Sequence, residues 1–297
     1  MPRTQAPYGP LPLVVVPGML CGPDLWPDVD FPEDRPVRHL ALGKPDIGAL
    51  ADDLLASVTG PFVVAGLSLG GIVAFEALRR APDRVAGLCV MSTNAGAPRP
   101  EQYAAWRAMD GLIADGRFAE VVEETLPGMF PASRPPGGAA SAPIPAPAPG
   151  AASVPASTSA SVLAAASASV AASPPASALV AAATERYRRM ARAVGPEAAR
   201  AQLAAQATRR DAVDALRGAR CPAVVLSGTR DALCPPDFHR VIAGALPDAE
   251  LREVPGAGHL LPWQAPSAVS AALRDLLARV REPVFRTHPG PTAPPTA

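Results

Sequence analysis

One short segment restricts the fold more than any other feature of this sequence. An apolar run at residues 62–65 leads directly into Gly-Leu-Ser-Leu-Gly-Gly at 66–71, and helical periodicity then continues to Arg80. A serine in so tight a turn between a strand and a helix must adopt a strained backbone, and the glycines two positions before and after it let the chains pass. We therefore predict that Ser68 is a nucleophile held at the end of a strand.

Strand-like and helix-like runs alternate on both sides of this segment, which is typical of a parallel sheet covered by helices. The predicted strands are 13–16, 37–42, 62–65, 85–91, 223–227 and 251–254. The predicted helices between them are 47–58, 69–80, 237–245 and 265–280, each with apolar residues near the 3.6-residue period. We expect an α/β fold whose central sheet is mostly parallel, has about six strands and is flanked by helices.

A different kind of sequence separates the fourth and fifth predicted strands. Helices are predicted at 103–126 and 185–216, as a lid over the carboxyl-terminal edge of the sheet. Residues 135–184 contain no charge and consist almost wholly of Ala, Ser, Pro and Gly, so they cannot offset their ordering entropy by burial. We therefore expect a core at 1–98 and 215–282, a helical lid at 99–214 with a disordered insertion at 135–184, and a flexible Pro-rich tail at 283–297.

Composition limits the partners that the chain can attract. Lys and Arg together number 27, as do Asp and Glu, so there is no overall field to draw in nucleic acid or an anionic membrane. The first ten residues lack the pattern of a secretory signal, and we expect a cytoplasmic protein. Four scattered cysteines and four histidines argue against structural zinc and a disulfide framework. We expect free thiols, no metal and a small-molecule partner, and the oligomeric state stays open.

A serine hydroxyl needs an imidazole to take its proton and a carboxylate to orient that imidazole. His259 lies on a Gly-rich loop after the last predicted strand, and Asp231 follows the fifth. Asp237 is an alternative acid, but Pro235 and Pro236 before it are typical of a helix start. We therefore prefer Asp231 and His259 as the partners of the serine.

Acyl transfer also needs donors for the oxyanion that forms on the substrate, and backbone N–H groups suit this role. The N–H of Leu69, next to the serine, is one candidate. The loop after the first strand supplies the second, because Gly18 lets the chain turn and Met19 then presents its N–H.

Apolar residues near these positions suggest an uncharged acyl group. We name Leu20, Leu260 and Trp263 as substrate-binding residues. The remaining histidines are weaker candidates, since they fall in an early strand, on a helix and in the Pro-rich tail: His39, His239 and His288.

With these residues in place, the chain resembles the α/β-hydrolase superfamily over nearly all of 11–280 outside the insertion. It is similar to small bacterial carboxylesterase-like members in the motifs PGMLC at 17–21, GLSLGG at 66–71, SGTRDALCPP at 227–236 and GAGHLLP at 256–262. The resemblance implies Ser68 as nucleophile, His259 as general base and then acid, Asp231 as the orienting acid, the N–H groups of Met19 and Leu69 as the oxyanion hole, and no cofactor.

The sequence departs from this family at three points, one of which is that the predicted lid carries the insertion at 135–184. Only about ten residues precede the first strand, so we expect the antiparallel N-terminal hairpin of larger members to be missing. Pro17 and Gly18 stand where a His-Gly pair often opens the oxyanion loop, which leaves the backbone donor in place.

We expect cleavage of an ester-type bond in a small, uncharged and apolar substrate through an acyl-enzyme on Ser68. The same triad also serves thioesterases, carbon–carbon hydrolases, lyases and cofactor-free perhydrolases, and the fold does not decide among them. A non-catalytic, hydrolase-like ligand-binding protein is the alternative of another class.

Overall fold

The computed structural model describes residues 10–131 and 176–280. Its sheet has six strands in the order β2-β1-β3-β4-β5-β6, and every neighbouring pair is parallel. The strands are β1 (Leu13–Val16), β2 (Val37–His39), β3 (Phe62–Leu67), β4 (Val85–Met91), β5 (Ala223–Gly228) and β6 (Ala249–Val254). The predicted α/β fold is confirmed, and the sheet is parallel throughout.

Helices cover both faces of the sheet. They are α1 (Ile47–Ala56), α2 (Leu69–Arg80), α3 (Pro100–Ala114), α4 (Phe118–Met129), α5 (Ala176–Thr208), α6 (Val213–Arg217), α7 (Pro236–Ala245), α8 (Leu261–Gln264) and α9 (Pro266–Arg279). One apolar cluster joins the sheet to α1, α2, α6 and α7, and a second joins its other face to α9 and to side chains of α3, α4 and α5. Burial on both faces explains why the strands are continuous apolar runs; all six residues of β3, for example, are buried.

The predicted strand at 37–42 is too long. Strand β2 ends at His39 because it lies at the edge of the sheet, where its only neighbour is β1, which itself ends at Val16. The N–H of Leu40 still donates to the carbonyl of Val15 at 3.0 Å before the chain turns toward α1.

Both predicted lid helices are interrupted. The predicted helix at 103–126 is divided into α3 and α4, because Gly116 adopts a φ of 77° that a helix cannot continue through. The predicted helix at 185–216 is broken at Gly195, with a φ of 80°, directly before Pro196, and it ends at Thr208 before the short α6. Helices α3, α4 and α5 contact one another and form one layer.

Most of the predicted insertion, and the predicted tail at 283–297, lie outside the described residues. Residues 176–184 are the exception, because they form the first turns of α5 and not part of a disordered segment. Their alanines favour a helix, and the helix continues into the charged segment after them. Within the two described ranges, the helices are too short or too polar to cross a membrane.

Candidate active site

Ser68 stands at a sharp turn between β3 and α2. Its φ of 52° and ψ of −114° are rare for a residue with a side chain, and its N–H donates to the carbonyl of Met91 at 2.9 Å. A Cβ on Gly66 would lie 2.5 Å from the carbonyl oxygen of Gly70, and one on Gly70 would lie 2.2 Å from that of Val16. Both glycines are therefore needed for the predicted strand–turn–helix.

Thr93 and His239 hold this turn from behind. The Thr93 hydroxyl donates to the carbonyl of Ser68 at 2.8 Å, and the Thr93 N–H donates to Nε2 of His239 at 3.1 Å. Since Nε2 accepts, Nδ1 of His239 carries the proton and donates to the carbonyl of Pro235 at 3.2 Å. Burial lowers the pKa of His239 to about 4, so the ring is neutral at physiological pH. His239 therefore supports the turn at Ser68. Its position on a predicted helix gave no indication of this role in the sequence.

Asp231 and His259 form a buried pair. Nδ1 of His259 lies 2.9 Å from Oδ2 and 3.1 Å from Oδ1 of Asp231, and each residue is 3% exposed. Oδ1 also accepts the N–H groups of Leu233 at 3.0 Å and Cys234 at 2.9 Å. Burial raises the pKa of Asp231, but the charge and hydrogen bond of His259 and the N–H of Cys234 lower it by more, so the carboxylate is ionised.

Asp237, the alternative acid, lies elsewhere. It is exposed in the first turn of α7 and pairs with Arg240 at 2.5 Å. The structure thus brings Asp231, and not Asp237, to His259.

The two loops that carry this pair are joined through their backbones. The N–H of Thr229 donates to the carbonyl of Val254 at 3.0 Å, and that of Arg230 donates to the carbonyl of Ala257 at 2.8 Å. A Cβ on Gly228 would lie 2.4 Å from the carbonyl oxygen of Gly258, so the loops pass at a distance that only glycine allows. The spacing between the aspartate and the histidine therefore depends on backbone contacts.

Ser68 and His259 open into one cavity of about 230 Å³. Its floor is formed by the sheet edge and the loop after β1, and its roof is formed by α3, α4 and the end of α5. Its lining comprises Gly18, Met19, Cys21, Leu67, Ser68, Ile72, Thr93, Asn94, Gln102, Trp106, Met109, Glu124, Thr125, Gly128, Met129, Gln206, Arg209, Leu233, Cys234 and His259. A larger groove of about 690 Å³ between α3 and α5 contains neither Ser68 nor His259. The smaller cavity is therefore the candidate active site.

The two predicted oxyanion donors flank Ser68. Leu69 is the first residue of α2, where N–H groups have no partner within the helix. Gly18 approaches the serine so closely that a Cβ on it would lie 3.3 Å from Cβ of Ser68, and Met19 follows it along the cavity wall. Among the hydrogen bonds of the described ranges, the N–H groups of Met19 and Leu69 have no acceptor.

The predicted substrate-binding residues are not among those that line this cavity. Leu20 and Leu260 are 1% and 0% exposed and pack into the core. The ring of Trp263 lies under the guanidinium of Arg186, and its Nε1–H donates to the carbonyl of Asp24 at 3.1 Å. The prediction placed these side chains by their nearness in sequence, but neighbouring residues in a loop point in different directions.

Sequence reasoning also missed a cation in the cavity wall. Arg209, just after α5, is 6% exposed, and its Nη2 donates to Oε1 of Gln102 at 3.0 Å. Its guanidinium lies 5.4 Å from the ring centre of Trp106. An arginine at the end of a helix is ordinarily expected to be solvated and to interact with the helix dipole. The sequence around Arg209 therefore did not indicate that its side chain is buried.

Asp231, Cys234 and His259 could together hold a metal ion, since their ligand atoms lie within 4.8 Å of one another. Burial and the neighbouring Asp231 raise the pKa of Cys234 well above its ordinary value, so it is a neutral thiol. Asp231 and His259 are already engaged with each other, which accounts for the cluster without an ion.

Comparisons with known proteins agree with this architecture. A family described as alpha/beta hydrolase fold matches residues 54–266. A pimeloyl-[acyl-carrier protein] methyl ester esterase of Aromatoleum aromaticum is 36% identical over 133 residues, which cover 38% of this chain and 52% of the relative. A protein of that name from Neisseria meningitidis is 38% identical over 86 residues, 27% of this chain and 31% of the relative. The chain thus spans about half of the length of the first of these curated relatives and about a third of the second.

Solved structures extend the similarity to the whole fold. A thermophilic esterase from Thermogutta terrifontis superposes with a TM-score of 0.68 at 24% identity, covering 93% of this chain and 92% of the other. An enol-lactonase from Burkholderia xenovorans superposes with a TM-score of 0.70 at 17% identity, covering 91% and 92%. Since the family matches well over half of the residues, the chain belongs to the alpha/beta hydrolase fold family.

Proposed function

We propose that this protein is a serine hydrolase that cleaves an ester-type bond of a small molecule through an acyl-enzyme on Ser68. The observation that carries the proposal is the buried, hydrogen-bonded pair of Asp231 and His259, whose imidazole opens into the same cavity as the strained serine. The curated relatives and one structural neighbour are named as esterases, and another structural neighbour is named as an enol-lactonase. These names support an ester or a lactone as the bond that is broken.

The first half of the reaction forms the acyl-enzyme. Oγ of Ser68 attacks the carbonyl carbon while Nε2 of His259 takes the hydroxyl proton. Asp231 holds Nδ1–H of the imidazole and stabilises the imidazolium that results. The N–H groups of Met19 and Leu69 stabilise the oxyanion. Collapse of the tetrahedral intermediate then breaks the ester bond, and the leaving alcohol takes the proton from His259.

The second half regenerates the enzyme. Water gives a proton to His259 and attacks the acyl carbon, and the proton then returns to the oxygen of Ser68 as the acid leaves. The chain's own residues supply every proton transfer in this cycle, so the mechanism calls for no cofactor.

Turnover of p-nitrophenyl acetate tests the proposal. We expect Ser68→Ala to lower kcat by about 10⁴-fold or more, because no other group can form the acyl-enzyme. Asp231→Asn should lower kcat by about 10⁴-fold, since an amide favours the wrong imidazole tautomer. Asp237→Asn is the matched control and should leave kcat unchanged. Equal rates for the wild type and Ser68→Ala would contradict the proposal.

A further inference from the structure

The Arg209 guanidinium is a buried charge for which the described chain provides no counter-charge. The side chain is 6% exposed, and its Nε–H has no hydrogen-bond acceptor. In the ranges that the structure describes, no carboxylate lies within 4.0 Å of it; its contacts are Oε1 of Gln102 at 3.0 Å and the ring of Trp106. An arginine is protonated at all physiological pH values, so its charge persists although burial lowers its pKa.

This charge is held in place. Oε1 of Gln102 accepts both Nη2–H of Arg209 and, at 3.1 Å, the backbone N–H of Arg99, so the amide is fixed by the start of α3. The indole of Trp106 supports the guanidinium from one side. A cation held in this way, with a free N–H and little contact with water, forms strong charge-assisted hydrogen bonds with an anion that reaches it.

Arg209 is part of the wall of the cavity that contains Ser68. Arg209, Gln102 and Trp106 all line that cavity together with His259. Glu124 also lines it, but this side chain is exposed and is not paired with Arg209. An anion in the cavity would therefore be attracted by the buried charge of Arg209. Its repulsion by Glu124 would be weakened, because solvent screens that exposed carboxylate.

We propose that Arg209 is a specificity-determining residue that binds a carboxylate on the acyl part of the substrate, so that the enzyme prefers half-esters of dicarboxylic acids. This inference rests on the proposed function, because it takes Ser68 as the reacting centre. It replaces the uncharged acyl group expected from Leu20, Leu260 and Trp263, which do not line the cavity. A planar fork of N–H donors suits a carboxylate and fixes the distance from that carboxylate to the ester carbonyl.

Matched substrates separate charge from shape. The first series is the monomethyl esters of dicarboxylic acids from succinic to pimelic, and in the second a terminal carboxamide replaces the carboxylate. We expect the wild type to favour the charged member at the best length by about 30-fold in kcat/KM, measured by methanol release, because a charged hydrogen bond is gained. Arg209→Met should abolish the preference, and Arg209→Lys should keep only part of it.

Arg210→Met is the control variant, since Arg210 is the exposed neighbour of Arg209 and should leave the preference unchanged. Arg209→Met should fold, because replacing a buried, unpaired charge by an apolar side chain of similar size is often neutral or stabilising. A variant with an unchanged or higher unfolding midpoint and a lost preference would exclude a merely structural role for Arg209.

Binding without turnover provides an independent test. Adipate should raise the unfolding midpoint of the wild type and of Ser68→Ala, but not that of Arg209→Met. Equal kcat/KM for charged and neutral esters, or equal stabilisation of Arg209→Met, would overturn this inference and leave ester hydrolysis intact. Stabilisation that requires Arg209 in a protein that cleaves no ester would instead overturn the proposed function.

Discussion

The backbone strain at Ser68 is balanced by contacts on both sides of the residue. Its positive φ costs on the order of 1–3 kcal/mol, which persists only where surrounding bonds fix the conformation. Here the carbonyl of Met91 accepts the Ser68 N–H, and the Thr93 hydroxyl donates to the Ser68 carbonyl. Hydrogen bonds therefore fix the peptide groups on both sides of Ser68, the residue whose side chain lines the cavity.

His239 gives this support a predictable pH dependence. The ring is buried, and its pKa of about 4 lies below the ordinary value of 6.5. The unfolded chain thus binds the proton more tightly than the folded one, and the free energy of unfolding should fall as the pH drops from about 6.5 to 4, by at most ~3 kcal/mol. The pKa of Asp231 is lowered below 3.8, so its contribution is lost only at still lower pH.

The variant His239→Gln should flatten this dependence, because glutamine does not titrate and its amide oxygen can accept the Thr93 N–H. Urea unfolding at pH 7, 5.5 and 4.5 measures the slope for each protein. His39→Gln is the control, since His39 is an exposed residue whose pKa burial lowers less than that of His239, and its removal should change the slope less. If His239→Gln lost stability with acid as steeply as the wild type, the assignment of a neutral, buried ring would be wrong.

Among individual residues, the sequence was informative wherever a candidate site residue lies in a local pattern. Ser68, Asp231 and His259 each follow a strand and sit among glycines, so their positions could be predicted. Thr93 and Arg209 could not, because neither has a local pattern and each gains its role only when distant segments pack against it. The three residues predicted to contact substrate do not line the cavity for the same reason, since the direction of a side chain in a loop or a short helix is set by tertiary packing.

At the scale of elements, the loops after β5 and β6 work as one unit. They share backbone hydrogen bonds and pass so closely at Gly228 that an added Cβ would lie 2.4 Å from one carbonyl oxygen and 2.5 Å from another. The placement of Asp231 beside His259 therefore depends on a contact that involves neither of these side chains.

We expect Gly228→Ala to push these loops apart and to lower kcat by about 100-fold, because displacements near 1 Å at a reacting centre have effects of this size. Gly218→Ala is the control, since a Cβ there would meet nothing closer than 3.6 Å. Ester hydrolysis and thermal unfolding are measured on the same preparations. Lowered stability with unchanged kcat in Gly228→Ala would show that the loop contact does not set the geometry of the site.

The ends of helices and strands could be predicted where they coincide with the end of a buried apolar run. They could not be predicted where a glycine breaks a helix. Strands β1 and β4 and helix α2 begin and end at the predicted residues, because their apolar runs coincide with burial. The breaks at Gly116 and Gly195 lie in amphipathic segments whose sequence pattern predicts a continuous helix. Glycine is compatible with both a helix and a turn, so it did not indicate a break. The two long helices predicted on either side of the insertion are therefore divided in the structure.

At the scale of the whole molecule, parallel strands account for the convergence of distant residues. The carboxyl ends of β3, β5 and β6 lie at one edge of the sheet, so the segments that follow them carry Ser68, Asp231 and His259 to one place. Alternation of strands and helices was enough to predict this convergence. The shape of the cavity was not predictable, because it depends on how α3, α4 and α5 pack over that edge.

The measurement that tests the central claim most directly is covalent labelling with a fluorophosphonate, followed by intact-mass analysis and peptide mapping. We expect one adduct per chain, on Ser68, with no adduct in Ser68→Ala and a strongly slowed reaction in His259→Ala. A wild-type preparation that hydrolyses esters but carries its adduct on another residue, or none at all, would contradict the account.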